Sequence, residues 1–181
     1  MPQNAELVLH PATPGGAVSG IAVAIERTSA EMRLSYRLEG DIARLRLPEP
    51  AEAMRTDSLW QHTCFEVFLR PDGGERYYEF NFAPSSAWAV YGFAARRGDR
   101  ELPELAAPAI TSRRNEGTFE MMVRLPLDGL PELAQAASID AGISAVVEDA
   151  RGMMTYWALA HASREPDFHD PATFRLRIGR Q

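Results

Sequence analysis

One segment, residues 59–97, constrains the fold most, because apolar and polar side chains alternate along it in three successive runs. Side chains of a β-strand point alternately to its two faces, so each run predicts a strand with two chemically different faces. The predicted strands span residues 64–70, 76–83 and 87–94. Proline, glycine and serine separate them at residues 71–74 and 84–86, as is typical of turns. The segment therefore predicts a three-stranded antiparallel meander.

Pairing of these strands divides their side chains between two faces of one sheet. We expect an apolar core face formed by Phe65, Val67, Leu69, Tyr78, Phe80, Phe82, Ala89, Tyr91 and Phe93. The opposite face would carry Glu66, Tyr77, Glu79, Asn81 and Trp88. Two carboxylates, an amide, a phenol and an indole on one surface suggest a ligand-binding face. The alternative is an ordinary solvated face with a few large residues.

The remainder of the chain contains further short alternating runs and one helical pattern. We predict strands at residues 5–10, 18–27, 31–39, 42–47, 109–114, 117–125, 143–149, 153–160 and 174–178. The spacing of Leu130, Leu133 and Ala134 predicts one short helix near residues 130–137. Residues 98–108 form a predicted polar loop.

Length and composition favour a single domain, residues 1–181, with an all-β fold. Hydrophobic residues make up 45% of the chain, which is enough for an apolar core without disulfides. The 13 glycines and 13 prolines lie between short strand-like runs. We therefore expect an antiparallel β-sandwich with one short helix.

Charge and terminal composition set expectations for partners and location. A net charge of −6 without a basic patch argues against a nucleic-acid partner. The single cysteine, Cys64, excludes an intrachain disulfide and is expected to be a small apolar strand residue. The sequence shows neither a signal-peptide pattern nor an apolar run of about 18 residues, so we expect no membrane span and a cytoplasmic location.

Several of these motifs together carry a family resemblance. They are Leu59-Trp60, the FEVFL run at 65–69, the YYEFNFAPS run at 77–85, Trp88, the YWALAH run at 156–161 and the PDFH run at 166–169. In this combination the chain resembles the DOMON-like and family-nine carbohydrate-binding-module superfamily. The last two motifs are similar to those of a bacterial DOMON-like subgroup. The resemblance covers about residues 59–174.

This resemblance implies a β-sandwich of immunoglobulin-like or jelly-roll type that binds a sugar or haem on one face. In the sugar-binding branch, two tryptophans hold the sugar and Ca²⁺ ions help to fix the loops. By resemblance, Trp88 and Trp157 correspond to these aromatic platforms, with Trp60 as a third candidate. The chain departs from the pattern before the FEVFL run, where His62-Thr63-Cys64 stands in place of an aspartate.

A carbohydrate site needs aromatic rings that stack on a pyranose and polar groups that bind its hydroxyls. Residues of these types are Trp88, Trp157, Tyr77, Glu66, Glu79 and Asn81. The alternative for both tryptophans is an ordinary core position.

Three other functions remain open. Haem binding would need an axial ligand pair from His62, His161, His169, Met121, Met122, Met153 and Met154. An enzyme could hold a metal with His161, Asp167 and His169, or use Glu66 and Glu79 as an acid and base pair for glycoside hydrolysis. The exposed aromatic face could also dock a protein, and the oligomeric state is open.

The sequence favours non-catalytic binding of a small molecule or glycan, with a carbohydrate as the preferred ligand, over these alternatives. The sequence contains no recognised catalytic motif, so we predict no catalytic residues. The choice of cofactor stays open between Ca²⁺, haem and none.

Overall fold

About half of the chain forms β-strands in a computed structural model that describes residues 1–96 and 98–180. The strands are β1 (Gln3–Leu9), β2 (Val18–Arg27), β3 (Glu31–Gly40), β4 (Cys64–Pro71), β5 (Tyr77–Phe82), β6 (Trp88–Phe93), β7 (Arg100–Glu101), β8 (Ala109–Arg114), β9 (Thr118–Pro126), β10 (Ser138–Glu148), β11 (Met154–Ala158) and β12 (Leu176–Gly179). One short helix, α1 (Pro131–Gln135), and three 3₁₀ turns (Ile42–Arg44, Leu59–Gln61 and Pro171–Thr173) join them. The all-β prediction and the predicted helix are confirmed.

The strands belong to one curled antiparallel sheet. Their order is β7-β6-β5-β4-β10-β11-β1-β2-β3-β9-β8, and β12 pairs with β10 at the side of this path. Strand β1 joins the two halves, because its first residues pair with β2 and its last two pair with β11. We call β7, β6, β5, β4, β10 and β11 the first half, and β2, β3, β9 and β8 the second half.

The core lies between these two halves. The phenol of Tyr36 on β3 donates a hydrogen bond of 3.1 Å to the carbonyl oxygen of Glu66 on β4. The ring of Phe65 lies 5.0 Å from that of Tyr36 and 6.0 Å from that of Phe119 on β9. Burial of each such side chain contributes about 1.5–3 kcal/mol, so these contacts hold the halves together.

Alternation along β4 and β5 has the outcome expected from the sequence. In the observed register Phe65 is opposite Phe82, and Val67 is opposite Phe80. These side chains are buried in the core between the halves. Glu66 therefore faces the other side of the sheet, as predicted.

Strand β6 has the opposite orientation to the predicted one. Phe82 is opposite Trp88, so Trp88 shares the core face, and Tyr91 and Phe93 lie on the face of the glutamates. The loop at residues 84–86 has the predicted length, because the amide of Ala83 donates to the carbonyl of Ala87 at 2.9 Å. Pairing across this loop brings Phe82 opposite Trp88, so the predicted faces of β6 were inconsistent with the predicted turn.

Residues 42–47 were also predicted incorrectly, because their first part forms a 3₁₀ turn instead of a strand. Ile42 and Leu45 are both buried, and their spacing of three matches the three residues per turn of a 3₁₀ helix. The long strand β10 begins at Ser138, before the predicted start at residue 143. Strand β7 lies within the predicted loop. Arg97, the last residue of the alternating segment, lies outside the described residues.

The structure contains no helix, within the residues it describes, with both the length and the hydropathy needed to cross a membrane.

The contact between the halves predicts a large effect for Phe65→Ala. Removal of this ring should lower the free energy of unfolding by about 3–5 kcal/mol, measured by urea denaturation, because a cavity remains between β3, β4 and β9. The control is Val8→Ala on β1, whose side chain is 56% exposed and should change stability by less than about 0.5 kcal/mol. Equal effects of the two substitutions would contradict the assignment of the core.

Candidate functional site

A pocket of about 520 Å³ opens on the outward face of the first half, opposite the core. This volume is suitable for a small organic ligand. Every strand of the first half contributes to its lining: Arg100 from β7, Tyr91 and Phe93 from β6, Glu79 from β5, Glu66 and Phe68 from β4, Val146 from β10, and Tyr156 from β11. The pocket therefore extends across all six strands of the first half.

Two segments outside the sheet form its walls. One is the 3₁₀ turn that carries Trp60, and the other is residues 166–169. The second wall is fixed by Asp167, whose carboxylate accepts a 2.6 Å hydrogen bond from Arg96 and a 3.1 Å hydrogen bond from the amide of His169. Because Arg96 follows β6, its bond to Asp167 ties this wall to the strands.

The floor of the pocket carries two carboxyl groups, those of Glu66 and Glu79. Glu66 is opposite Asn81 and Glu79 is opposite Phe68, so the glutamates are diagonal neighbours on one face. Such neighbours are about 7 Å apart at Cβ, within reach of long side chains. Glu66 is 3% exposed and Glu79 is 6% exposed, so both are held in a nearly desolvated place.

Each carboxyl group is held by a neutral donor. The Ser144 hydroxyl donates to Oε2 of Glu66 at 2.7 Å, and Nδ2 of Asn81 donates to Oε1 of Glu79 at 2.8 Å. Nε2 of His169 lies 3.5 Å from Oε2 of Glu79. Arg76 is close in sequence to Glu79 and could have paired with it. Its guanidinium instead donates to Tyr78 and Glu101.

Burial makes both groups harder to ionise. It raises the pKa of Glu66 to about 8, and repulsion from Glu79 acts in the same direction, while the hydrogen bond from Ser144 opposes it. Burial likewise raises the pKa of Glu79 to about 6, against the hydrogen bond from Asn81 and the positive charge of Arg100. Paired carboxyl groups with such values are common at functional sites.

Aromatic side chains surround the opening. The indole of Trp60 lies with its edge against the ring of Tyr91, at 6.3 Å between centroids, and the guanidinium of Arg100 lies 4.5 Å from the same ring. The Tyr91 hydroxyl donates to Asp57 at 2.7 Å, which fixes the ring. These contacts leave aromatic surface beside the carboxyl groups of the floor.

Tyr77 and Asn81 lie on the predicted face but beneath the pocket surface. The ring of Tyr77 stacks on Phe93 at 5.0 Å, and its hydroxyl is 2.8 Å from Nδ1 of His169. Asn81 is completely buried beside the glutamates. Their contacts indicate that both residues position other side chains of the site.

Trp88 and Trp157, the two aromatic platforms expected from the resemblance, are on the core face instead. Trp88 is opposite Phe82, and Trp157 is opposite Ala145. Both indoles are buried in the core cluster. Trp60, the third candidate, is the tryptophan that lines the pocket.

Several lining residues were not identified from the sequence. They are Tyr91, Phe93, Arg100, Val146, Tyr156 and Phe168. For Tyr156 a signal existed, because it alternates with Trp157 along β11 and must therefore point to the other face. For Arg100 and Phe168 no local pattern indicates the position, because β7 has only two residues and Phe168 lies outside the strands.

Of the three predicted metal ligands, Asp167 and His169 lie together on the pocket wall, and His161 contacts other residues. His161 lies 4.6 Å from the ring of His10 and contacts the carbonyl of Val8 at 2.7 Å. His169 lines the pocket, but its Nδ1 contacts Tyr77 and its Nε2 contacts Glu79. It therefore does not fit as a haem ligand. No group of three or more His, Cys, Asp or Glu residues suited to a metal ion occurs within residues 1–96 and 98–180.

Comparisons with known proteins give similarity of fold. No family model matches the chain, and no curated protein matches it. A proposed carbohydrate-binding protein from Bacteroides uniformis ATCC 8492 has a TM-score of 0.73 at 17% identity, over 99% of this chain and 86% of that one. A family-nine carbohydrate-binding module from Caldicellulosiruptor kristjanssonii in complex with cellotriose has a TM-score of 0.62 at 7% identity, over 99% and 82%. A family-nine module from the same organism in complex with glucose has a TM-score of 0.55 at 5% identity, over 97% and 84%.

The buried carboxyl groups predict a pH-dependent effect of Glu66→Gln. The pKa of Glu66 is about 8 in the folded chain and near 4.5 when it is unfolded, so the folded state binds more protons between these values. The contribution of Glu66 to the free energy of unfolding of the wild type therefore falls as the pH rises from about 4.5 to 8. The fall is at most about 1.4 kcal/mol per pH unit. The variant lacks this loss, so its stability relative to wild type should increase over that range in urea denaturation.

Glu79→Gln is the matched comparison, and its relative gain should level off near pH 6. A difference between Glu66→Gln and wild type that does not change with pH would contradict the assignment of Glu66 as a buried, hard-to-ionise group.

Proposed function

We propose that the chain is a non-catalytic carbohydrate-binding protein whose ligand occupies the pocket on the outward face of the first half. The observation that carries this proposal is the combination, in one open pocket, of aromatic rings and two buried carboxyl groups. Aromatic faces stack on the C–H faces of a pyranose, and carboxyl groups bind its hydroxyls. The 3₁₀ turn at Leu59–Gln61 and β6 supply the rings of Trp60 and Tyr91, and β4 and β5 supply the carboxyl groups.

The aromatic part of the proposed site is Trp60 with Tyr91. Trp60 is 37% exposed, unusual for so large an apolar side chain in this protein, and it lies at the edge of the opening. A sugar ring placed against this indole would have its hydroxyls directed towards Glu66 and Glu79. Tyr77 and Asn81 would act indirectly, by holding His169 and Glu79 in place.

The structural neighbours support the same class of ligand. Two of them are family-nine modules in complex with cellotriose and with glucose, and their folds cover almost all of this chain. The DOMON-like resemblance and the immunoglobulin-like or jelly-roll sandwich that it implies are part of the proposal. Glucose and cello-oligosaccharides are therefore the first ligands to test.

Trp60→Ala should weaken binding of cellotriose by about tenfold or more, or ~1.4 kcal/mol, because the stacking surface is removed. Isothermal titration calorimetry measures this change directly. Trp60→Phe keeps an aromatic ring and should lose less. Because Trp60 is partly exposed, neither variant should greatly lower the melting temperature.

Met122→Ala is the matched control, since Met122 is a large exposed side chain on β9 in the second half. Its affinity for cellotriose should equal that of wild type. If neither glucose nor cellotriose binds the wild-type protein, or if Trp60→Ala binds as well as Met122→Ala, the proposed pocket is wrong.

A further inference from the structure

We propose that the two carboxyl groups of the pocket floor have different roles in ligand binding: Glu66 is protonated and donates a hydrogen bond to a sugar hydroxyl, and Glu79 is a carboxylate that accepts one. This inference rests on the proposed function and defines its ligand more narrowly. It requires a sugar with one hydroxyl that accepts a hydrogen bond from Glu66 and a second group that donates one to Glu79.

Glu66 and Glu79 cannot both be charged without a large free-energy cost. They are diagonal neighbours on one face of β4 and β5, and both are nearly inaccessible to water. Two negative charges at this spacing in a desolvated place repel each other strongly, so one proton is retained by the pair.

The proton that the pair retains lies on Glu66. Glu79 has positive or polar hydrogen donors nearby, with Nε2 of His169 at 3.5 Å and an attractive interaction with Arg100. Glu66 forms no ion pair among the residues described, and its Oε2 contacts the neutral hydroxyl of Ser144. The charge is therefore better stabilised on Glu79, which leaves the proton on Glu66.

Hydrogen-bond acceptors on and beneath the floor of the pocket are incompletely satisfied. The buried Oδ1 of Asn81, directly across from Glu66, has no hydrogen-bond partner among the described residues. With Ser144 and Nδ2 of Asn81 already donating, the remaining oxygens of Glu66, Glu79 and Asn81 form a patch with more acceptors than donors. A proton on Glu66 reduces this excess, and hydroxyls of a sugar supply further donors to Glu66 and Glu79, which line the pocket.

Other ionisable groups around Glu66 are not expected to produce the same pH response. The groups that face it from the surrounding elements are Tyr36 of β3, Cys64 of β4, Glu79 of β5, Tyr91 of β6, Arg100 of β7, and Asp167 and His169 of the wall. Burial raises the pKa of Tyr36 and of Cys64 well above their usual values, so both stay neutral. Asp167 is paired with Arg96. Loss of binding near pH 8 therefore points to Glu66.

The consequence for the ligand follows from hydrogen-bond chemistry. A hydroxyl can donate and accept, so a neutral sugar satisfies both glutamates at once. An ammonium group only donates, so it could pair with Glu79 but could not accept the proton of Glu66. The group of the ligand that faces Glu66 is therefore a hydroxyl.

The test compares wild type, Glu66→Gln and Glu79→Gln by calorimetric titration with glucose and cellotriose at about pH 7 and pH 9. Wild-type affinity should fall about tenfold per pH unit above about 8, where the donor is lost. At pH 9, titrations in two buffers of different ionisation enthalpy should show uptake of about one proton on binding. Glutamine is a permanent donor at position 66, so the affinity of Glu66→Gln should be the same at pH 7 and pH 9.

Glu79→Gln should lose affinity by about tenfold or more at both pH values, because a neutral amide replaces the charged acceptor. Thermal unfolding of each variant establishes that it is folded. The same fall in affinity above pH 8 in Glu66→Gln as in wild type would overturn the assigned roles and leave the proposed function standing. Failure of wild type to bind any of these sugars at either pH would overturn the proposed function itself.

Discussion

The antiparallel pairing of β4 with β5 and β10 is the constraint on which the rest of the structure depends. Phe65 of β4 is opposite Phe82 on one side and Ala145 on the other, so one register fixes the faces of three strands. The inward face then packs against β3 and β9. The outward face brings Glu66 beside the side chains of β5 and β10 that hold it. Core and pocket are thus two results of the same pairing.

Placing carboxyl groups on a buried sheet face opposes stability, because desolvation disfavours their charged forms. The chain offsets this cost with neutral donors, Ser144 and Asn81, and with His169 near Glu79. No ion pair neutralises Glu66 among the residues that the structure describes. Such an arrangement is poor as a purely structural device, and it is reasonable as a binding surface whose hydrogen bonds are completed by a ligand.

The sequence was sufficient for the parts of the fold that depend on local alternation. It predicted the all-β class, the helix, and the placing of Glu66, Glu79, Tyr77 and Asn81 on one face. It failed for the faces of β6, because pairing across the three-residue loop at residues 84–86 places Trp88 opposite Phe82 in the core. The wall at residues 166–169 is distant in sequence from the strands it covers, so no local pattern could place it.

The most direct test of the account is a ¹H–¹⁵N NMR titration of the wild-type protein with cellotriose, after backbone and indole assignment. The account predicts shifts concentrated on the amides around Glu66, Glu79 and His169 and on the indole of Trp60, with the buried indoles of Trp88 and Trp157 little affected. Shifts concentrated on the second half, or an unchanged spectrum at millimolar sugar, would contradict it.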